Sequence, residues 1–146
     1  MFVTEVAALP GDAKFGEQNL AKDVFEVAAH VVDARIAAAR GDGHAAIEHW
    51  KKAVEIQDTL HYDEPADWYY PVRESLGAAL LKLGNAQDAE KTFRADLLQN
   101  PRNPRSLFGL KESLLAQGKM EDAGWVESQL AASRNGADTV FSVSAL

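Results

Sequence analysis

The spacing of three glycines constrains the fold of this chain more than any other sequence feature. Gly84 and Gly118 are 34 residues apart, and Gly41 and Gly84 are 43 apart, which is one such period plus nine residues. An alanine follows each glycine five positions later, at Ala46, Ala89 and Ala123. A fixed period of roughly 20–50 residues indicates an array of similar supersecondary units. A small side chain at the same place in each unit lets the two helices of that unit approach closely. The shared spacing therefore predicts a repeat of helical hairpins.

Apolar residues between these glycines recur every three or four positions, which is the spacing of a buried helix face. In the first helix they are Val24, Val27, Ala28, Val31, Val32 and Ile36. Later helices carry apolar residues such as Ile47, Trp50, Val54, Leu76, Leu83, Phe93, Leu98, Leu107, Leu110, Leu114, Val126 and Leu130. Asn19 is predicted to cap the first helix, and Pro71 suits the first turn of the third.

These segments predict an all-α fold of about six helices in three hairpins, with units of about 20–61, 70–101 and 104–134. Residues 1–19 contain Pro10, Gly11 and Gly16 without sustained periodicity, so we predict an irregular N-terminal segment. Residues 135–146 form a separate C-terminal tail, in which Val and Phe alternate with small polar residues. The tail is predicted to be either a short extended segment docked on the helices or a disordered end.

The middle unit resembles a tetratricopeptide repeat. Leu76-Gly77 stands at the paired Leu-Gly, Ala89 and Phe93 form the A-x₃-F element, and Pro101 is the closing proline. The resemblance covers about residues 27–134 and implies a short right-handed solenoid of helical hairpins.

The outer two units depart from the repeat pattern. The first keeps Ala46 and Trp50 but has Ala34 where the packing glycine would stand. The third has Glu127 at the aromatic position, which suits a terminal, capping hairpin. Residues 63–118 also resemble the closing segment of larger bacterial proteins with many tetratricopeptide repeats, so the chain could be the C-terminal part of such a protein.

Charge and composition exclude several classes of function. The formal net charge is −7 and the longest basic run is Lys51-Lys52, so we predict no nucleic-acid partner. A partner carrying some basic residues would suit this acidic surface. No apolar stretch is long enough to span a bilayer and the N-terminus is unlike a signal peptide, so we predict no membrane association. The chain as given is predicted to be cytoplasmic, unless it belongs to a longer secreted or periplasmic protein.

No catalytic or metal-binding pattern is evident in the sequence. There is no cysteine, no phosphate-binding glycine loop and no serine nucleophile motif. His44 and His49 are five residues apart and so diverge on one helix, while His61 lies near Asp63 and Glu64. Polar residues at helix ends explain these groups, so we predict no enzyme, no metal and no cofactor. A small metal-dependent enzyme would require His44, His49 and His61 to converge.

The tetratricopeptide resemblance implies a concave binding face formed by the first helix of each hairpin. The aromatic cluster near residue 68 either fills the core or lines a groove. The candidate peptide-binding residues are Arg35, Trp68, Tyr70, Arg73, Glu74, Arg105, Phe108 and Glu112, with Val31, Ala78, Lys82 and Leu115 on the same face. Some tetratricopeptide proteins bind the carboxylate of a peptide with a clamp of Lys, Asn and Arg side chains. In this chain only Arg105 stands at a matching position, so the clamp is not reproduced.

Two functions follow as expectations. The first is a non-catalytic interaction or scaffold module that binds a peptide or protein segment, and the second is a structural cap on a longer solenoid. We also predict that Phe141, Val143 and Leu146 could pack into the groove of a second copy and form a homodimer. The sequence does not name the partner, because repeat folds serve many functions.

Overall fold

The computed structural model describes Val6, residues 8–134, Gly136 and residues 139–146. The chain divides into two compact units, residues 1–72 and 73–146. The described part contains six α-helices and one two-stranded ribbon, so the predicted all-α class is confirmed. Within it, none of the helices has the length and apolar character needed to cross a membrane. The predicted terminal segments 1–19 and 135–146 lie partly outside the described residues.

In the described part of the first unit, a short ribbon leads into a helical hairpin. Strands β1 (Lys14–Phe15) and β2 (Asn19–Leu20) pair antiparallel, so part of the segment predicted to be irregular is ordered. Helices α1 (Ala21–Ala39) and α2 (Gly43–Gln57) follow and pack on each other. The buried side chains of this hairpin include Val24, Val27, Val31, Ala34, Ala46, Ile47, Trp50, Ala53 and Val54.

The buried face of α1 differs from the prediction at two positions. Val32 and Ile36 are 46% and 42% exposed, whereas Ala34 is fully buried. Small side chains allow two helices to approach closely, and Ala29, Ala34 and Ala37 are buried on α1 together with Val24, Val27 and Val31. The bulkier Val32 and Ile36 lie on its exposed side.

The prediction that Asn19 caps α1 is wrong. Leu20 holds the N-cap position without a side-chain hydrogen bond, and Asn19 is buried. Its Nδ2 donates to the carbonyl of His61 at 2.9 Å and to Oδ2 of Asp67 at 2.8 Å, and its Oδ1 accepts from the His61 N–H at 2.7 Å. The amide thus fixes residues 58–71, the irregular loop that contains the nine extra residues, to the start of α1.

Gln57 closes the same loop at its base. Its Nε2 donates to the carbonyl of Tyr70 and its Oε1 accepts from the Val72 N–H, both at 2.9 Å. One side chain at the end of α2 therefore satisfies backbone groups at the far end of the loop.

Four of the described helices form the second unit. The first of them begins at Val72, which is the last residue of the first unit. These helices are α3 (Val72–Lys82), α4 (Ala86–Gln99), α5 (Pro104–Ala116) and α6 (Met120–Arg134), followed by a 3-10 turn at Val143–Ala145. Helix α4 packs on α5, and α5 packs on α6. The predicted stops at Gly84 and Gly118 have φ of 78° and 74°, a conformation that glycine adopts without a side-chain clash.

Phe93 is the centre of packing in this unit. Its side chain is fully buried, and a Cβ atom at Gly77 or Gly109 would lie only 2.4 or 2.2 Å from its Cζ. The ring thus fills space that side chains on α3 and α5 would otherwise need. Leu98, predicted to be buried, is 84% exposed because it lies on the opposite side of α4 from Phe93.

Glu90 joins α4 to the turn between α5 and α6. Its Oε2 accepts from Nζ of Lys119 at 2.7 Å and from Nε2 of Gln117 at 2.8 Å, and its Oε1 accepts from Nε of Arg94 at 2.9 Å. The hydrogen bond from Lys119, supported by those from Gln117 and Arg94, outweighs burial and lowers the pKa of Glu90 from 4.5 to about 2.

This lowered pKa predicts acid sensitivity. Ionised Glu90 stabilises the fold above its unfolded pKa of 4.5, and this contribution is lost as the pH falls from 4.5 towards 2. We expect a loss of about 1–2 kcal/mol rather than the about 3 kcal/mol of the full shift, because Lys119 and Arg94 are exposed to solvent. Urea unfolding between pH 5 and 2 measures it. Glu90→Gln should flatten this dependence, exposed Glu121→Gln should not, and equal slopes in both variants would contradict the assignment.

Candidate functional site

A buried polar network in the second unit lies where α4 ends and α5 begins. Asp96 and Ser106 are fully buried. Oδ2 of Asp96 accepts hydrogen bonds from Oγ of Ser106 at 2.5 Å and from Nδ2 of Asn103 at 2.9 Å, and its Oδ1 accepts from Nδ2 of Asn100 at 2.9 Å. Asn103 also caps α5, since its Oδ1 accepts from the Arg105 N–H at 3.1 Å. The turn that precedes α5 is therefore held by side-chain hydrogen bonds.

The same network holds Glu74 and Arg105 together. Nδ2 of Asn103 donates to Oε1 of Glu74 at 2.8 Å, and Nε of Arg105 donates to its Oε2 at 2.5 Å. Glu74 is buried and Arg105 is half-buried. A buried carboxylate with both oxygens occupied fixes the guanidinium of Arg105, which leaves its other nitrogens in a set direction.

The C-terminal tail occupies the surface in front of Arg105. Nη2 of Arg105 donates a hydrogen bond to the carbonyl of Ala145. The ring of Phe141 lies 5.8 Å from that of Phe108, between centroids, and the guanidinium of Arg134 lies 5.5 Å from the Phe141 ring. We call Arg105, Phe108 and Arg134 the tail site. The alternative of a docked tail, left open by the sequence, is the one observed.

A further cation, that of Lys111, adjoins the tail site. Arg134 also donates to the carbonyl of Thr139, and Nζ of Lys111 lies 5.3 Å from the centre of the Phe108 ring. Lys111 pairs with Glu112 at 3.3 Å and with Glu127 at 3.0 Å. Burial alone would lower the pKa of Lys111, but these two hydrogen bonds raise it, so the cation over Phe108 is maintained at neutral pH.

The structure distributes the predicted site residues over both units. Arg35 is exposed on α1, and Trp68 and Tyr70 lie half-buried in the loop of the first unit. Arg73, Glu74, Arg105, Phe108 and Glu112 belong to the second unit. Val31 and Ala78, predicted on the same face, are buried and cannot contact a ligand.

Two of the predicted contact residues have another role. Glu74 is covered, and its carboxylate serves to hold Arg105. Arg73 donates from Nη1 to Oε1 of Gln99 at 3.3 Å. The residues that the structure brings together at one surface are thus Arg105 and Phe108, with Glu112 beside Lys111.

Reasoning from the sequence missed Asn103 and Arg134. Asn103 had a local signal, since Asn followed by Pro is typical of a helix start. Arg134 had none, because its contacts are with the tail and depend on how that segment folds back.

The aromatic loop of the first unit packs within itself. The rings of Trp68 and Tyr70 lie 6.0 Å apart, and that of Tyr69 lies 4.8 Å from that of Tyr70. The indole N–H of Trp68 is buried with no hydrogen-bond partner among the described residues. A cavity of about 160 Å³ adjoins it, lined also by Asn19, Gln57, His61, Asp63 and Asp67. Trp68 is half-buried and lines this cavity.

One group of side chains in the described residues could hold a metal ion. It comprises His30 and Asp33 on α1 and His49 on α2, whose ligand atoms all lie within 4.8 Å of one another. Burial, followed by the charge of His49, lowers the pKa of His30, which favours the neutral form that binds metals. His44 and His61, which we considered from the sequence, lie outside this group.

No protein-family model matches the chain, and no curated protein matches it either.

Proposed function

We propose that this chain is a non-catalytic interaction module that binds a short peptide segment at the tail site, and that residues 139–146 of the chain occupy this site until a partner displaces them. The observation that carries the proposal is the paired contact of the tail: Phe141 lies against Phe108, and the carbonyl of Ala145 accepts from Arg105.

These two contacts are of the kinds that peptide recognition requires. A hydrogen bond to a backbone carbonyl is independent of sequence, whereas an aromatic contact selects a side chain. Phe141 and Ala145 are four residues apart, so the site reads an aromatic residue and a carbonyl four positions later. The partner we propose is therefore a segment with one aromatic anchor.

The tail site is ordered by contacts beneath it. Arg105 is held by Glu74, and Asn103 holds Glu74 in turn. A side chain that is fixed before binding loses less conformational entropy when the ligand arrives. The cations of Lys111 and Arg134 lie over the two phenylalanine rings and favour an aromatic anchor through cation–π attraction.

Occupation by the tail predicts competition. A segment joined by a short linker has an effective concentration on the order of 1 mM. If the free peptide binds with a dissociation constant of about 100 μM, the attached tail weakens its apparent affinity about tenfold. A partner must therefore bind better than the tail to displace it.

The test uses a fluorescent synthetic peptide with the sequence of residues 139–146 and measures its anisotropy. A chain ending at residue 138 should bind the peptide about tenfold more tightly than the full chain does. Phe141→Ser in the full chain should also release the site and increase binding. Phe108→Ala in the shortened chain should weaken binding about tenfold, because it removes the aromatic contact.

Trp125→Ala is the matched control, since Trp125 is an exposed aromatic residue on α6. If Phe108→Ala and Trp125→Ala bind the peptide equally well, or if the shortened and full chains do not differ, the proposal is wrong. Light scattering on the full chain adds one distinction. A dimer lost on removal of residues 139–146 would mean that the tail binds the same site of a second copy, as in the homodimer proposed from the sequence.

The second candidate, a cap on a longer solenoid, is favoured by a different observation. Val32 and Ile36 leave an exposed apolar strip on α1, where a preceding helix could pack. Arg35 lies beside this strip and is exposed. Val32→Ser with Ile36→Ser should leave peptide binding unchanged, which separates the two functions.

A further inference from the structure

Three metal-ligating side chains of the first unit meet on the α1–α2 hairpin. His30 and Asp33 are one helical turn apart on α1, so their side chains share a face. His49 projects from α2, which packs on α1. The turn at Gly41 lies between the two histidines, so the hairpin itself brings them into contact. No residue of this group belongs to the tail site.

The distance between the two histidines fits a shared metal ion. Nδ1 of His30 lies 3.2 Å from Nδ1 of His49. Two nitrogens that bind one tetrahedral Zn²⁺ at roughly 2.0–2.1 Å are about 3.3 Å apart, from the tetrahedral angle alone. The two ring nitrogens therefore already stand at the separation that such an ion requires.

Asp33 supplies a third ligand of suitable type. Its Oδ2 lies 4.0 Å from Nδ1 of His49, so a small rotation of the Asp33 side chain would bring it within the ligand shell. Two imidazoles with one carboxylate form a donor set that suits divalent transition ions, and Mg²⁺ or Ca²⁺ would require more oxygens. The carboxylate would also offset part of the charge of the ion.

We propose that His30, Asp33 and His49 bind one divalent transition-metal ion of the zinc type, through Nδ1 of each histidine and a carboxylate oxygen of Asp33. The side chains of His49 and Asp33 are 32% and 42% exposed, so water can reach the remaining coordination position. The ion would join α1 to α2 and so stabilise the hairpin.

The charges around His30 act on a bound cation with opposite signs. Glu26 lies close enough to His30 to favour a positive charge there, and Lys52 opposes it. These effects act in opposite directions, so the three ligands determine binding. Without metal, two neutral imidazoles can share one N–H between their Nδ1 atoms, and this is the competing state.

The test is titration of the full chain with Zn²⁺, followed by calorimetry, and with Co²⁺, followed by its visible ligand-field absorption. We expect one ion per chain and a nitrogen-containing tetrahedral Co²⁺ spectrum. His49→Gln and His30→Gln should each weaken binding at least about tenfold, and Asp33→Asn should weaken it less. The unfolding temperature of the wild-type chain should rise with Zn²⁺ and not with Mg²⁺.

The matched control is His44→Gln, because His44 is an exposed histidine on the same hairpin. Far-UV circular dichroism establishes that each variant is folded, and Asp33→Asn, which preserves side-chain shape, gives a second measure if a histidine variant is not. The proposal is overturned if the wild-type chain binds no Zn²⁺, if His44→Gln weakens binding as much as His49→Gln, or if folded His30→Gln and His49→Gln variants retain full affinity.

Discussion

Replacing Phe93 with alanine is expected to lower the free energy of unfolding of the second unit by about 3–5 kcal/mol. The ring is fully buried and fills space between α3 and α5, where Gly77 and Gly109 provide no side chains. The glycine backbones cannot move inward to close such a cavity without displacing their helices. Chemical denaturation of the full chain, followed by circular dichroism, measures the loss. Leu98→Ala, on the exposed side of α4, is the control and should change the free energy by less than about 0.5 kcal/mol.

The contact between Phe93 and Gly109 can be tested separately. A Cβ at Gly109 would lie 2.2 Å from Cζ of Phe93, so Gly109→Ala should destabilise the wild-type chain by about 1–3 kcal/mol despite the better helix propensity of alanine. In a Phe93→Ala background the same change should cost little or even stabilise. Additive effects of the two substitutions would show that the ring and the glycine do not compete for space.

Replacing Asp96 with alanine is expected to cost about 3 kcal/mol, because three donors lose their acceptor in a buried site. These donors are the side-chain amides of Asn100 and Asn103 and the hydroxyl of Ser106. Ser106→Ala removes one donor and leaves the carboxylate with two partners, so it should cost about 1 kcal/mol. Urea denaturation of the variants gives both values.

The same substitution should also affect peptide binding. Without Asp96, the Asn103 side chain loses one of its acceptors and is held less firmly. Glu74, which accepts from Asn103, and Arg105, which donates to Glu74, are then held less firmly too. In the chain ending at residue 138, we therefore expect Asp96→Ala to weaken binding of the tail peptide. Asp88→Ala is the control for both measurements, since Asp88 is exposed and contacts Lys91. Equal stability of the Asp88 and Asp96 variants would contradict the importance of the buried network.

Periodicity and turn residues allowed much of the fold to be predicted. The glycine spacing and apolar positions predicted six helices and their stops, because these properties are local. The prediction that Val32 and Ile36 belong to the buried face of α1 was wrong, because which face is buried depends on the packing of α2. We predicted burial from the size and apolar character of the side chains, whereas the small Ala34 is the residue that is fully buried.

Contacts between distant residues explain what the sequence did not reveal. Asn is a residue type that often caps helices, yet the side chain of Asn19 forms hydrogen bonds with residues more than 40 positions later. His30 lies 11 residues before Gly41 and His49 lies 8 residues after it, so both histidines were within two to three turns of the hairpin turn, which was a weak signal for pairing. Arg105 and Phe108 were among the contact residues predicted from the sequence, and the tail was predicted to fill a groove, although of a second copy; its contacts with Arg105 and Arg134 of the same chain depend on how the segment folds back.

The closure of the loop by Gln57 has a consequence for the length of the chain. Because one amide joins Tyr70 and Val72 to the end of α2, the base of the loop is closed independently of how many residues lie between. Lengthening a loop that is closed at its base adds an entropic cost that grows only with the logarithm of its length. The stretch near Tyr62 and Glu64, which is exposed and belongs to neither proposed site, is therefore a place where evolution or an engineer can insert a new segment without dismantling the hairpin.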